Sequence, residues 1–247
     1  MSKAKVIVIT GASSGIGEAT ARMLAKKGHH IILVARREKK LKAIAKDINE
    51  AGGTAIVNIS DVTSKEANEK IAQLAIEKFG RIDVWVNNAG VMPISEISKD
   101  RIDEWEQMVD TNLKGTLYGF HAALPQMHAQ HSGHFINIAS VFSHYLRSQF
   151  GVYAATKFGI WAASETLRQE EAIAKSNVRV TVISPGIIDT ELPKHIKDPA
   201  SYKEMAAFYT TTAISAEEVA RTIAFTIETN DNTTINEIIL RPTMEVF

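Results

Sequence analysis

Apolar residues along this chain gather in short runs, separated by longer stretches in which they recur every three or four positions. The first run covers residues 6–9 and ends in a glycine cluster; a second unbroken run occupies 31–34, and runs with one or two polar positions occupy 55–59, 82–86, 135–138, 178–183 and Glu237–Leu240. Short runs without polar alternation are the pattern of strands buried on both faces. The stretches between them, at 18–27, Glu38–Glu50, 65–78, 100–127, 152–175 and Ala216–Glu228, carry helical spacing. Such alternation demands right-handed crossovers, so the predicted fold is α/β: a doubly wound, parallel sheet of about seven strands with helices on both faces. Residues 1–247 read as a single catalytic domain. The segment 185–215, rich in Thr, Lys and Pro, interrupts the alternation and reads as a substrate loop or lid.

Composition narrows the function. Lys plus Arg and Asp plus Glu both number 28, so no positive excess draws the protein to nucleic acid or anionic lipid, and a small-molecule partner is favoured. The absence of cysteine excludes disulfides and thiolate catalysis and fits a reducing compartment. Residues 1–5 are polar and the run 6–9 is too short for a signal peptide or a membrane span, so a cytoplasmic location with no membrane partner is expected.

Directly after the first apolar run comes Thr10-Gly11-Ala12-Ser13-Ser14-Gly15-Ile16-Gly17, and then a helical stretch. Glycines let the backbone turn sharply and approach a pyrophosphate, while free amides at a helix start favour its charge. The plainer alternative is a tight turn with a glycine-lined packing contact. Gly11-Ala12-Ser13-Ser14-Gly15 also satisfies the nucleophile elbow of α/β hydrolases, which would make Ser13 the nucleophile and require a later histidine such as His195. That elbow belongs to an interior strand reached after several others, whereas here it follows the first.

The end of the second run discriminates between nicotinamide cofactors, since an acidic residue there grips the adenosine ribose and an arginine accommodates a 2′-phosphate. The sequence reads Ala35-Arg36-Arg37-Glu38. Arg36 offers a planar fork for phosphate and Arg37 can stack or add charge, which favours NADP(H). Two alternatives stay open: arginines that simply solvate a charged helix start, or a Glu38 that reaches back to the ribose and admits NAD(H).

Tyr153 and Lys157 stand four apart at the start of a helical stretch, so the ammonium can sit near the phenol and favour the phenolate. No other tyrosine here has a lysine at that spacing. Ser140 closes the run 135–138 and can reach the same carboxyl edge of the sheet, where open α/β folds bind ligands. Taken singly, these would be a surface pair and a turn residue.

Together, Thr10-Gly-x-x-x-Gly-x-Gly17, Asn87-Asn88-Ala89-Gly90, Ser140, Tyr153-x-x-x-Lys157 and Pro185-Gly186 resemble the short-chain dehydrogenase/reductase family over nearly the full length, which implies a Rossmann-like fold. The resemblance implies that Tyr153 exchanges a proton with the substrate oxygen and Ser140 holds that oxygen. It gives Lys157 two tasks, lowering the tyrosine pKa and binding the nicotinamide ribose. Asn112 matches the fourth family residue, with a water-linked proton path to Lys157; its plainer reading is a helix-interior asparagine bonding its own backbone. For the cofactor the resemblance assigns Gly11, Ser13, Ser14, Gly15, Ile16 and Gly17, with Arg36 and Arg37. It adds Asp61 and Val62 at the adenine and Asn88, Ala89 and Gly90 along the dinucleotide. Pro185 and Gly186, then Ile188 and Thr190, follow at the carboxamide and phosphates. Asp61 could otherwise be a helix N-cap. The chain departs from many relatives at Val141-Phe142-Ser143, where small residues and a glycine are usual.

The predicted substrate pocket comprises Met92, Phe142, Tyr145 and Leu146, with Val91 and the loop 187–215, and suits a partly hydrophobic carbonyl or alcohol. Arg147, Lys194, His195 and Lys197 could meet an anion or merely be solvated. The resemblance leans toward bacterial reductases of small hydroxy acids, ketones or aldehydes, and implies a homodimer or homotetramer through the two long helical stretches, although core burial could account for their apolar residues. The expected activity is an NADP(H)-dependent oxidoreductase; a serine hydrolase using Ser13 and a non-catalytic NADP(H)-sensing protein are the alternatives. No metal is called for.

Overall fold

The computed structural model of the chain describes residues 4–246. Residues 1–3 of the polar opening, and residue 247, lie outside the described residues. Strands β1 (Val6–Thr10), β2 (His30–Ala35), β3 (Thr54–Ile59), β4 (Val84–Asn87), β5 (Gly133–Ile138), β6 (Val178–Pro185) and β7 (Glu237–Leu240) form one sheet in the order β3-β2-β1-β4-β5-β6-β7. Every neighbouring pair is parallel. The chain winds outward from β1 to β3 and then returns to the other side of β1, so the carboxyl ends of β1 and β4 flank a crevice suited to a ligand.

Helices α1 (Gly15–Lys26), α2 (Glu38–Glu50), α3 (Lys65–Phe79), α4 (Ile102–Met108), α5 (Gly115–Gln130), α6 (Gly151–Ala174), α7 (Pro199–Thr212) and α8 (Ala216–Glu228) complete the regular structure. The apolar runs have a two-sided task. Ile7 and Ile9 of β1 enter one apolar cluster with residues of α1, α2 and α8, while Val6 and Val8 enter another with residues of α3, α5 and α6. Each full burial of such a side chain contributes roughly 1.5–3 kcal/mol, which is why no polar residue interrupts the strand. A third cluster lies beyond the carboxyl edge, where Met92, Phe142, Phe150, Tyr153 and Met205 pack together.

Two predicted elements differ from those observed. The stretch 100–127 is not one helix: α4 passes into a wider π-helical turn over Val109–Lys114 before α5 begins. Such a turn re-aims side chains, and here the amide of Asn112 turns onto the backbone of Val91. The segment 185–215 is also more ordered than a loop, holding a 3-10 turn at Leu192–His195 and the helix α7. Asp198 caps α7 by accepting from Ser201 N at 2.9 Å, and Pro199 occupies its first turn, where a missing N–H costs nothing. Among the described residues no helix is long and apolar enough to cross a membrane.

Candidate active site

The glycine loop is built by Thr10. Its Oγ1 donates to Val86 O (3.2 Å) and accepts from Asn88 N (3.0 Å) and Ala89 N (3.1 Å), while Asn88 Nδ2 donates to Thr10 O (2.9 Å). The turn after β1 and the turn after β4 are thereby locked to one another. Gly11 and Gly15 lie at φ of 65° and 55°, a region that disfavours other residues. Gly17 faces inward: a Cβ there would lie 2.5 Å from Gly11 O, so its part is to let the helix start close against the turn. Beneath the site, Asn87 Nδ2 donates to Asn137 Oδ1 (2.8 Å) and Asn137 Nδ2 to Ser164 Oγ (2.9 Å), a buried polar chain tying β4 and β5 to α6. Sequence reasoning quoted Asn87 without giving it this task and missed Asn137.

A cavity of about 370 Å³ runs along the carboxyl edge from the glycine loop to the third apolar cluster. It brings together Ser13, Ser14, Arg36, Arg37, Asp61 and Val62 at one end with Ser140, Tyr153 and Lys157 at the other. Gly11, Gly15, Ile16, Asn88, Ala89 and Gly90 line it between them, as do Pro185, Gly186, Ile188 and Thr190. Gly17 and Asn112 stand behind the wall. Met92 and Phe142 line the cavity, but Tyr145 and Leu146 do not, with Leu146 69% exposed. The correction has a local cause: the 3-10 turn Val141–Ser143 points Phe142 inward against Phe150, at 4.1 Å between ring centroids, and the chain then turns outward.

Asp61 is not a helix cap. Its Oδ1 accepts from Thr63 N at 3.0 Å, its Oδ2 lies 3.5 Å from Arg36 Nη1, and the cap of α3 is Ser64, which accepts from Ala67 N. Nor does Asn112 bond only its own helix: Oδ1 accepts from Val91 N (2.8 Å), and Nδ2 donates to Val91 O (3.0 Å) and Thr156 Oγ1 (3.1 Å). This amide fixes the segment after Gly90.

At the far end, Tyr153 and Ser140 share the cavity wall, and Ser140 Oγ donates to Pro185 O at 3.5 Å. Ser140 Oγ also accepts from Phe142 N at 3.2 Å. Lys157 Nζ donates to Ile138 O at 2.9 Å and lies 5.6 Å from the centroid of the Tyr153 ring. Burial pushes the phenol up to about 12, against the opposing pull of Ser140, and burial pushes the lysine down to about 8. The expectation that Lys157 draws the phenol toward neutrality is thus outweighed in the protein alone, because both groups are buried and the ammonium is directed at a carbonyl.

The charged residues near the mouth are mostly paired. Arg147 binds Glu204 at 2.5 Å and lies over the Phe208 ring, Lys194 meets Glu191 at 3.3 Å and Lys197 meets Glu104 at 3.8 Å. Burial and the neighbouring Arg36 and Arg37 lower the His195 pKa, so it stays neutral near pH 7. Ser13 Oγ accepts from Arg37 Nε at 2.9 Å; a nucleophile elbow instead needs a histidine base on its serine.

Sequence reasoning placed the segment 187–215 at the pocket without singling out Met205 and Tyr209, and it missed Glu245 in the cavity wall. The first two lie four apart on α7, a spacing visible once Asp198-Pro199 is read as a helix start. Glu245 comes from the segment after β7, its Oε2 accepting from Ile187 N at 2.8 Å in space left by the missing side chain of Gly186. No local pattern announces it.

Comparison with known proteins agrees with this fold. The profile of the short chain dehydrogenase family matches residues 5–201. The chain is 43% identical, over 98% of both proteins, to an uncharacterized oxidoreductase of Staphylococcus saprophyticus. It superposes with a TM-score of 0.86 on an alcohol dehydrogenase from the archaeon Thermococcus sibiricus complexed with 5-hydroxy-NADP, at 28% identity over 98% of each chain. A closed form of serine dehydrogenase complexed with NADP+ gives 0.90 at 29% identity, covering 98% of this chain and 96% of that one. By its sheet, its glycine loop and these relatives, the chain belongs to the short-chain dehydrogenase family of oxidoreductases.

Proposed function

We propose that the protein is an NADP(H)-dependent oxidoreductase interconverting a carbonyl and a primary or secondary alcohol by hydride transfer, with Tyr153 as general acid and base. The observation that carries the proposal is that Tyr153, Ser140 and Lys157 line one cavity with the glycine loop at the carboxyl edge of the sheet.

The lining suits a nicotinamide dinucleotide. The helix start at Gly15 offers backbone amides to a pyrophosphate, and Arg36 and Arg37 offer guanidinium groups to a 2′-phosphate. The NADP-type ligands of the two structural relatives support the same preference. Bound there, the cofactor supplies or accepts the hydride. Tyr153 gives its proton to the carbonyl oxygen as an alcohol forms, and Ser140 donates a second hydrogen bond to that oxygen. Lys157 offsets the phenolate left behind, holds the nicotinamide ribose, and draws a replacement proton through water past Asn112. A phenol near 12 carries its proton throughout the physiological range, the form that reduction requires.

Met92, Phe142, Phe150 and Met205 favour a partly apolar substrate, and the alcohol and serine dehydrogenase relatives support small hydroxy acids, ketones or aldehydes. The chain acts in this reading as one catalytic domain over 1–247, in the cytoplasm. Leu117 on α5 and Phe158 and Trp161 on α6 stay exposed while Phe120 and Leu167 are buried in the core, so those three support a homodimer or homotetramer built on these helices.

Tyr153→Phe removes only the transferable proton. NADPH oxidation with a panel of carbonyls should fall by roughly 10²–10⁴-fold while NADPH affinity stays within a few-fold; undiminished turnover would refute the mechanism.

A further inference from the structure

At the mouth of the cavity one carboxylate gathers three cations. Glu191 Oε2 lies 2.6 Å from Arg37 Nη1, Glu191 Oε1 lies 3.1 Å from Lys40 Nζ, and Lys194 Nζ approaches Oε1 at 3.3 Å. The rest of the Arg37 fork is also engaged, Nε donating to Ser13 Oγ at 2.9 Å and Nη2 to Ser14 Oγ at 2.6 Å. Glu191 belongs to the chain segment after β6, and the neighbouring Thr190 packs on the glycine loop, where a Cβ on Gly15 would meet its Cγ2 at 2.9 Å. Arg36, by contrast, meets Asp61 only at 3.5 Å and is largely exposed.

We infer that Glu191 is a specificity-determining residue for the cofactor: it occupies Arg37 and Lys40 as an internal anion and so limits how strongly the protein prefers a 2′-phosphorylated dinucleotide. The inference rests on the NADP(H) reading above and goes beyond it. Any phosphate that takes up the donors of Arg37 becomes a neighbour of the carboxylate already held there, and like charges at such range repel. A dinucleotide without the 2′-phosphate meets no such repulsion. Whatever closing effect the Glu191 contact has on the mouth acts on both cofactors alike, so the ratio of their affinities isolates the charge. The cations in turn hold the Glu191 carboxyl well below the usual carboxylate range, so it is ionised at any working pH.

The test is a fluorescence titration of the whole protein with NADPH and with NADH, repeated with 2′,5′-ADP and 5′-AMP as fragments, in native protein, Glu191→Gln and Glu191→Asp. Glu191→Gln should raise the NADPH-to-NADH affinity ratio by roughly tenfold at low salt, and less at high salt. Glu191→Asp, which keeps the charge, should leave the ratio within about twofold of native, and the fragments should follow their parent cofactors. A ratio unmoved or lowered by Glu191→Gln, while Arg36→Ala still lowers it, overturns this inference alone. A ratio that neither substitution moves overturns the NADP(H) assignment as well.

Discussion

Lys157→Met separates the energetic cost of the site from its chemistry. The lysine is buried, and its pKa falls from the ordinary 10.5 to about 8. At about 1.36 kcal/mol per pH unit, the charged form is penalised by roughly 3 kcal/mol in the folded protein relative to the unfolded chain. Below about pH 8 both states carry the charge, and the penalty is present in full. Between about 8 and 10.5 the folded chain has released the proton and the unfolded chain has not, so native stability rises with pH across that window. Methionine removes the titration and fills a similar volume, but leaves Ile138 O without its donor, at a cost of about 1–3 kcal/mol. Near pH 7 the two effects nearly cancel, and the variant should be as stable as the native protein or up to about 2 kcal/mol more so. From pH 7 to 10 the native protein should then gain about 2–3 kcal/mol on the variant, read as the difference in urea unfolding free energies. A difference that stays constant over that range would refute the claim that a charged lysine is held there against its solvation. The variant should also lose carbonyl reduction at every pH.

Carbonyl reduction should be nearly independent of pH up to about 7 and decline as Lys157 loses its charge near 8, while Tyr153, near 12, stays protonated; a pH–rate profile that climbs through 8 would contradict the assigned roles. Asn112→Ala leaves the N–H and C=O of Val91 buried without partners and should cost about 2–4 kcal/mol in chemical denaturation. Gly17→Ala drives a methyl to 2.5 Å from Gly11 O, so NADPH affinity should fall by at least about tenfold in a binding titration, through displacement of the turn.

The strands and the placing of Tyr153 and Lys157 side by side were legible because each is a local pattern under a strong physical constraint. A β-strand buried on both faces favours apolar residues, so 6–9 announced β1 unaided, whereas the equally buried β6 carries Arg179 and Thr181. Tyr153 and Lys157 share a helix, and their spacing alone places them together. The π-helical turn at Asn112 was hidden because it is fixed by Val91, a partner on another segment. Helix α7 was overlooked because the Thr, Lys and Pro content of the segment 185–215 outweighed its capping signal at Asp198. Tyr145 and Leu146 were misassigned because sequence proximity to Ser140 does not reveal which way the chain turns after Val141–Ser143. The pairing of Glu191 with Arg37 spans 154 positions, and no periodicity reports such a contact.

The grip of Glu245 on Ile187 joins positions 58 apart and makes the stretch following the last strand part of the chamber wall. In the proposed reaction, proton transfer and hydride delivery fall to groups anchored in the sheet and in α6, whereas this portion of the wall is set by α7 and the stretch around Glu245. Substrate preference can therefore drift through substitutions at the edge of the molecule while the chemical step is inherited unchanged, and an engineer seeking a new substrate should begin there.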